Sequence, residues 1–331
     1  MSLRSMAGSS SLDRTPEKSR PRVAFVFPGQ GSQCIGMGKL FYETDPEAKQ
    51  VFDAASAALG FDLPALCFDG PNTRLNLTEN TQPAMLTVSV AALRGLIRAD
   101  IAPLAVAGHS LGEWSAVVAA GGMEFSDAVR LVRKRGQYMQ EAAGTGHGIV
   151  AAVLGVPRDA IAQACQTASR FGIVCPANFN SPRQVVIAGE SEAVEEALRL
   201  IHEQHKGRAV RLPVSVPVHT PLMAKAAERL AIDLDLVDIR DLDVPLVNNV
   251  HAESIRSRDD VRASLLAQLP SPVLWEDSIN TLVSMGINVF IEIGPGAVLS
   301  RLMKSITTKV RVFSVQDPES LHCVVEALAN G

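Results

Sequence analysis

Gly108-His109-Ser110-Leu111-Gly112 is the stretch of this 331-residue chain best suited to covalent chemistry. It has the Gly-x-Ser-x-Gly form of a nucleophile elbow, in which flanking glycines let a strained turn lift a serine hydroxyl above a sheet edge. The backbone N–H of Leu111, at the start of the following helix, would face the oxyanion formed when Ser110 attacks a carbonyl, assisted by the helix dipole. Such a serine needs a base. Of the seven histidines, His202 and His205 sit beside Glu203 and Lys206 in a polar helix end, His251 and His322 in polar or terminal contexts, and His147 in a glycine-rich loop. His219 is different. Pro217 and Pro221 bracket it in a stiff linker suited to holding a base over a cleft, although a histidine merely satisfied in its own turn has the same local sequence. His109 is the rival, but a ring adjacent to the nucleophile on a tight elbow cannot easily fold onto its hydroxyl.

Two further features bear on chemistry. Pro28-Gly29-Gln30-Gly31-Ser32-Gln33 is glycine-rich, yet it lacks both the Gly-Lys-Ser/Thr ending of a phosphate loop and the third glycine of a dinucleotide fingerprint. It is either a structural turn or the second wall of an oxyanion hole, with the Gln30 N–H facing that of Leu111. Arg130, Arg133, Lys134 and Arg135 form a cationic run. One arginine turned inward would bind a carboxylate through two parallel hydrogen bonds and select a diacid acyl group, but the local pattern does not say which of the four it is.

These residues need elements to position them. Val23–Phe27 is a continuous apolar run suited to a strand buried on both faces, and it feeds the Pro28–Gln33 turn. Helical periodicity covers Asp45–Leu59 and Gln82–Arg98, the latter with Pro83 in its first turn. Leu104–Ala107 reads as a strand running into the Ser110 turn, and Glu113–Ala120 as a buried helix of small and apolar residues. Ser126–Ala142 reads as a helix with Ser126 as its N-cap and Asp127 in its first turn. From Ile149 the order becomes strand Ile149–Gly155, helix Arg158–Ser169, strands near Val174–Asn178 and Gln184–Ala188, helix Ser191–His205 and strand Arg208–Leu212. This β-α-β-β-α-β series is the split βαβ of ferredoxin-like domains. An α/β pattern resumes from Pro221 and ends in strand Val289–Ile293, the Gly294-Pro295-Gly296 turn and a short helix. The expected division is a leader at 1–20, a larger unit from 21–147 and 220–331, and an inserted subdomain at 148–219.

Composition excludes several classes. The chain is 47% hydrophobic and 20% charged, which suits a large buried core and argues against disorder past the leader. A net charge of -4 and a pI near 6.0 give no sign of a nucleic-acid surface. No window of about 18 apolar residues suggests a membrane span. The Ser-, Arg- and Lys-containing segment 1–20 lacks the apolar stretch of a secretory signal and reads as a disordered leader. The five cysteines are scattered and odd in number, which fits a reducing cytoplasm and offers no metal motif.

Taken together, the motifs resemble those of the malonyl-CoA:acyl carrier protein transacylases and their polyketide synthase relatives. The likeness runs from Val23 to about Val315 through Phe25–Gln33, Thr81-Gln82-Pro83-Ala84, Gly108–Glu113, Arg135–Gln140, Val214–His219, Gln268-Leu269, Pro272–Trp275 and Glu292–Gly296. It implies an α/β-hydrolase-like core with a mainly parallel sheet and an inserted ferredoxin-like subdomain. It also implies that Ser110 is the acylated nucleophile, His219 the general base and Arg135 the holder of the malonyl carboxylate. Gln30 and Leu111 would supply oxyanion N–H groups, and the Gln268 carbonyl would orient His219 in place of a carboxylate. Val218 and His109 would border the acyl pocket. Val218 replaces the Ser of bacterial fatty-acid enzymes and the Phe of malonyl-selective polyketide acyltransferases, which implies a pocket of different width. Trp114 stands where Tyr is frequent, a mild exchange.

The resulting expectation is a cytoplasmic, monomeric acyltransferase. It would move malonyl from coenzyme A to the phosphopantetheine thiol of acyl carrier protein, with those two as substrates, no cofactor or metal, and neither nucleic acid nor membrane as partner. Arg183, Arg208 and Arg211 are candidates for docking an acidic carrier. The alternatives are a serine thioesterase or esterase, an acyltransferase serving a polyketide or malonate decarboxylase carrier, and a noncatalytic scaffold that docks the carrier.

Overall fold

The computed structural model describes residues 21–143, 148–212 and 216–330. The expected leader at 1–20 and most of the glycine-rich break at 144–148 lie outside the described residues.

Among the described residues, ten strands form two sheets. They are β1 (Val23–Phe27), β2 (Ala105–Gly108), β3 (Gly148–Leu154), β4 (Val174–Ser181), β5 (Gln184–Glu190), β6 (Arg208–Arg211), β7 (Leu246–Val247), β8 (Ser254–Ile255), β9 (Val289–Ile293) and β10 (Arg311–Val315). The larger sheet has the order β10-β9-β1-β2-β7-β8, and all its pairings are parallel except β7 with β8. Every residue of β1 is buried. Because side chains alternate along a strand, Val23, Phe25 and Phe27 enter one core with the helices on that face, while Ala24 and Val26 enter another around Trp275 and Phe290.

The smaller sheet, β4-β5-β3-β6, is wholly antiparallel and is the ferredoxin-like arrangement. Helices Arg158–Ala168 and Ser191–His205 cover one face, packing Ile161, Val194 and Ile201 against Ile187 of β5. The other face presents only a small apolar cluster, Val150, Ala152, Ala177, Val186 and Ala188. Paired backbone bonds, Phe179 N–H to Val273 O and Val273 N–H to Ala177 O, both 2.9 Å, join β4 to the larger unit.

Some boundaries differ from the sequence pattern. The helix expected from Gln82 begins at Thr78, because Thr81 Oγ1 and Asn80 Nδ2 donate to the carbonyls of Leu75 and Arg74 and pin the entering turn; Pro83 is tolerated within it. The helix expected from Ser126 starts at Phe125, with the Glu124 carbonyl accepting from Asp127 and Ala128, so Ser126 is not its cap. The strand expected over Leu246–Val250 stops at Val247, and Asn249 turns to donate from Nδ2 to the Gly108 carbonyl at the end of β2.

The register positions the site. Phe27 pairs with Gly108 and Val247 with Ala107, so the turns after β1, β2 and β7 leave the sheet together at its carboxyl edge. Open α/β sheets place their ligands at that edge.

Candidate active site

Ser110 sits between β2 and the Leu111–Ala119 helix with φ 53° and ψ -108°, a conformation costly for a residue with a side chain. Both flanking glycines are required by contact. A Cβ on Gly108 would lie 1.9 Å from the Gly112 carbonyl carbon, and one on Gly112 would lie 2.0 Å from the Phe27 oxygen. The helix therefore packs directly on the strand ends, and the hydroxyl stands above them.

His219 reaches this hydroxyl, with Nε2 2.7 Å from Ser110 Oγ. Its Nδ1 faces two carbonyl oxygens, those of Gln268 at 2.9 Å and Ser271 at 3.2 Å. Carbonyls only accept, so Nδ1 holds the proton and Nε2 offers its lone pair to the serine. The ring is 1% exposed. Burial and then the charge of Arg135 lower its pKa to about 3, against the smaller opposing effect of the two carbonyls. It is a neutral acceptor throughout the physiological range. His109 turns elsewhere: its Nε2 lies 2.8 Å from Asn180 Oδ1 and its ring stands edge-on to Trp275.

Of the four cationic residues, Arg135 turns inward. Arg130 pairs with Asp127, Arg133 lies over the Phe61 ring, and Lys134 bonds Asp233 at 2.5 Å. Arg135 is 1% exposed; Nη1 donates to Gln82 Oε1 at 2.7 Å, and Nη2 to Gln268 Oε1 at 2.9 Å and Ser110 Oγ at 3.3 Å. Burial lowers its pKa to about 10, with Glu113 opposing, so it stays cationic at neutral pH. Its Nε has no partner among the described residues. Among the described residues this buried guanidinium is held by neutral oxygens beside a serine hydroxyl, an arrangement chemically able to bind a carboxylate.

Gln30, Leu111, Ser110, His219 and Arg135 line one pocket of about 110 Å³, walled by Met139, Val150, Val186, Val216 and Val218. The Gln30 side chain donates to Thr78 Oγ1 at 3.2 Å, while the backbone N–H groups of Gln30 and Leu111 have no acceptor among the described residues. Val218 is half-buried on the pocket wall, as is His109.

Asn249 went unread in the sequence. Its Oδ1 accepts the Ser110 N–H at 2.7 Å and its Nδ2 donates to Gly108 O at 2.6 Å. Gln82 and Glu113 were visible only as members of motifs, although a glutamate amid the small and apolar residues of a buried helix was a signal in itself.

The acyl transferase domain family matches residues 24–321 of the chain. Malonyl CoA-acyl carrier protein transacylase of Bacillus subtilis is 46% identical over 308 residues, covering 93% of this chain and 97% of that protein. A crystal structure of an acyl carrier protein S-malonyltransferase from Vibrio cholerae, 44% identical, superposes with a TM-score of 0.89 over 92% of this chain and 99% of that one. A type II PKS acyl-carrier protein in complex with its malonyl-transacylase provides a chain 42% identical, with a TM-score of 0.90 and the same two coverages.

Proposed function

The chain belongs to the acyl transferase domain family, among the malonyl CoA-acyl carrier protein transacylases, and from that premise we propose a two-step malonyl transfer through an ester on Ser110. His219 Nε2 takes the serine proton as Oγ attacks the malonyl thioester carbonyl. The Gln30 and Leu111 N–H groups stabilise the oxyanion. As the tetrahedral intermediate collapses, the C–S bond breaks and the imidazolium returns its proton to the departing coenzyme A sulfur. The carrier's phosphopantetheine thiol then loses its proton to His219 and attacks the ester; a new C–S bond forms, the acyl C–Oγ bond breaks, and the His219 imidazolium returns its proton to Ser110 Oγ. Arg135 holds the malonyl carboxylate in both steps.

The observation that carries this reading is Arg135, buried with neutral partners and 3.3 Å from Ser110 Oγ. A general thioesterase has no use for a buried cation there, and the aliphatic pocket wall disfavours water as the second acceptor. The nucleophile, base, oxyanion N–H groups and carboxylate-binding arginine named above account for every bond made and broken and every proton moved, so we assign no cofactor and no metal. The remaining assignments are a cytoplasmic monomer that binds neither nucleic acid nor membrane, divided into a catalytic unit (21–147 and 220–331) and a subdomain (148–219). The separate apolar core of the smaller sheet supports that division. Exposed Arg183, Arg208 and Arg211 are candidate contacts for an acidic carrier, although Arg211 already pairs with Glu195.

The test is incubation with malonyl-CoA followed by intact-protein mass measurement. Wild-type protein gains a malonyl group and Ser110→Ala does not, and the label then moves to added carrier protein. Release of free malonate with the carrier left unloaded would refute transfer.

A further inference from the structure

Glu113 lies beneath Ser110, and the reaction above makes no use of it. Its side chain is 0% exposed. Oε1 accepts from the Ser264 hydroxyl at 2.7 Å, while Oε2 accepts from Gln268 Nε2 at 2.7 Å and from the Asn249 backbone N–H at 3.1 Å. Two routes lead from this carboxyl to Ser110. Asn249 takes the Ser110 N–H on Oδ1 at 2.7 Å and reaches Gly108 O with Nδ2 at 2.6 Å. Gln268 donates from Nε2 to Ser110 O at 3.0 Å and presents Oε1 to Arg135 at 2.9 Å.

Both amides thereby have one workable orientation. Turning Asn249 over would set an NH₂ against the Ser110 N–H, and turning Gln268 over would set one against the Arg135 guanidinium. The backbone these amides grip is the strained one, at φ 53° and ψ -108°, which persists only where its surroundings over-determine it. Among the described residues Arg135 bonds no carboxylate, since Gln82, Gln268 and Ser110 supply its acceptors.

We propose that Glu113 is a positioning residue: it anchors the Asn249 backbone N–H and the Gln268 side-chain amide, holding the two residues that clamp the Ser110 backbone and aim Arg135, and it does so by the placement of one oxygen rather than by charge. The proposal rests on the reading of Ser110 as nucleophile. A glutamine at 113 preserves the placement. Its amide oxygen replaces Oε2 as acceptor for Gln268 and Asn249, and its NH₂ meets the Ser264 hydroxyl, which accepts as readily as it donates. An aspartate keeps the carboxyl and the charge but withdraws both oxygens by one methylene. Burial pushes the Glu113 carboxyl above its ordinary range, against the lowering from its hydrogen bonds and from Arg135.

The experiment compares Glu113→Gln with Glu113→Asp in single-turnover malonylation of Ser110. Rates are expressed per acylable site, at a temperature where melting curves show every sample native. Glu113→Gln should stay within about fivefold of wild type. Glu113→Asp should be roughly 100-fold slower, in keeping with a nucleophile displaced on the scale of an ångström, with the loss in kcat rather than in KM. An aspartate variant as fast as the glutamine variant, or two equally slow variants, overturns the proposal. A purely structural role would lower the number of acylable sites and leave the rate per site unchanged, which also overturns it. Wild-type protein that forms no malonyl ester overturns the nucleophile reading and the proposal together, whereas the preceding outcomes leave that reading standing.

Discussion

Arg135→Ala removes the only charged group within bonding distance of the Ser110 hydroxyl among the described residues. In the complex, its buried guanidinium would face the malonyl carboxylate. Truncating one partner of a buried, hydrogen-bonded charge pair costs about 2–5 kcal/mol. At about 1.36 kcal/mol per decade, kcat/KM for malonyl-CoA should fall between roughly 30-fold and several thousand-fold. Acetyl-CoA has no carboxylate to lose, so its kcat/KM should change far less. The assay is carrier loading from radiolabelled malonyl-CoA and acetyl-CoA in parallel. A second signature follows from charge. Arg135 helps hold His219 near its pKa of about 3, so without it the His219 pKa rises and the acidic limb of the acylation profile moves to higher pH. An unchanged malonyl-to-acetyl ratio would refute the assignment of Arg135 as carboxylate receptor, whatever happened to total activity.

Linkage gives His219 a stability signature. Its folded pKa of about 3 lies below the ordinary 6.5, so the unfolded chain binds a proton that the native state refuses. Its contribution to stability is complete above the unfolded pKa and is lost as pH falls from there toward the folded value, at about 1.4 kcal/mol per pH unit. Denaturant unfolding between pH 6 and pH 4 should show a slope about one proton shallower in His219→Gln than in wild type, and identical slopes would contradict the buried neutral ring. Gly112→Ala places a Cβ 2.0 Å from the Phe27 oxygen. It should cost about 1–3 kcal/mol in unfolding free energy, and acylation should fall as the elbow shifts; a variant of wild-type stability and rate would show that the strand–helix contact is not needed. Val218→Ala widens the wall of the pocket and should raise methylmalonyl loading relative to malonyl by roughly tenfold in a competition assay, while an unmoved ratio would place the acyl group elsewhere.

The sequence by itself determined much of this protein, because several of its constraints are local. The apolar run Val23–Phe27, the glycines around Ser110 and the β-α-β-β-α-β order after Gly148 each act over a few residues, so the doubly buried strand, the elbow and the smaller sheet were legible from pattern alone. Other properties were not. Helical spacing could not say whether Arg130, Arg133, Lys134 or Arg135 turns inward. That was decided by the 78–98 helix, which brings Gln82 against the Phe125–Ala143 helix, and by the Arg258–Ala267 helix, which ends at Gln268. His219 and Ser110 are 109 residues apart, and their 2.7 Å contact exists because the chain returns from the smaller sheet to the carboxyl edge of the larger one. Asn249 carried no visible signal, since an asparagine after a strand is an ordinary turn residue; it reaches the elbow only because β7 pairs with β2. Periodicity and turn chemistry record what a residue does to its neighbours in the chain. The assembly of Asn249, Gln268 and Glu113 around Ser110 depends on strand order and register, which only the packed sheet supplies.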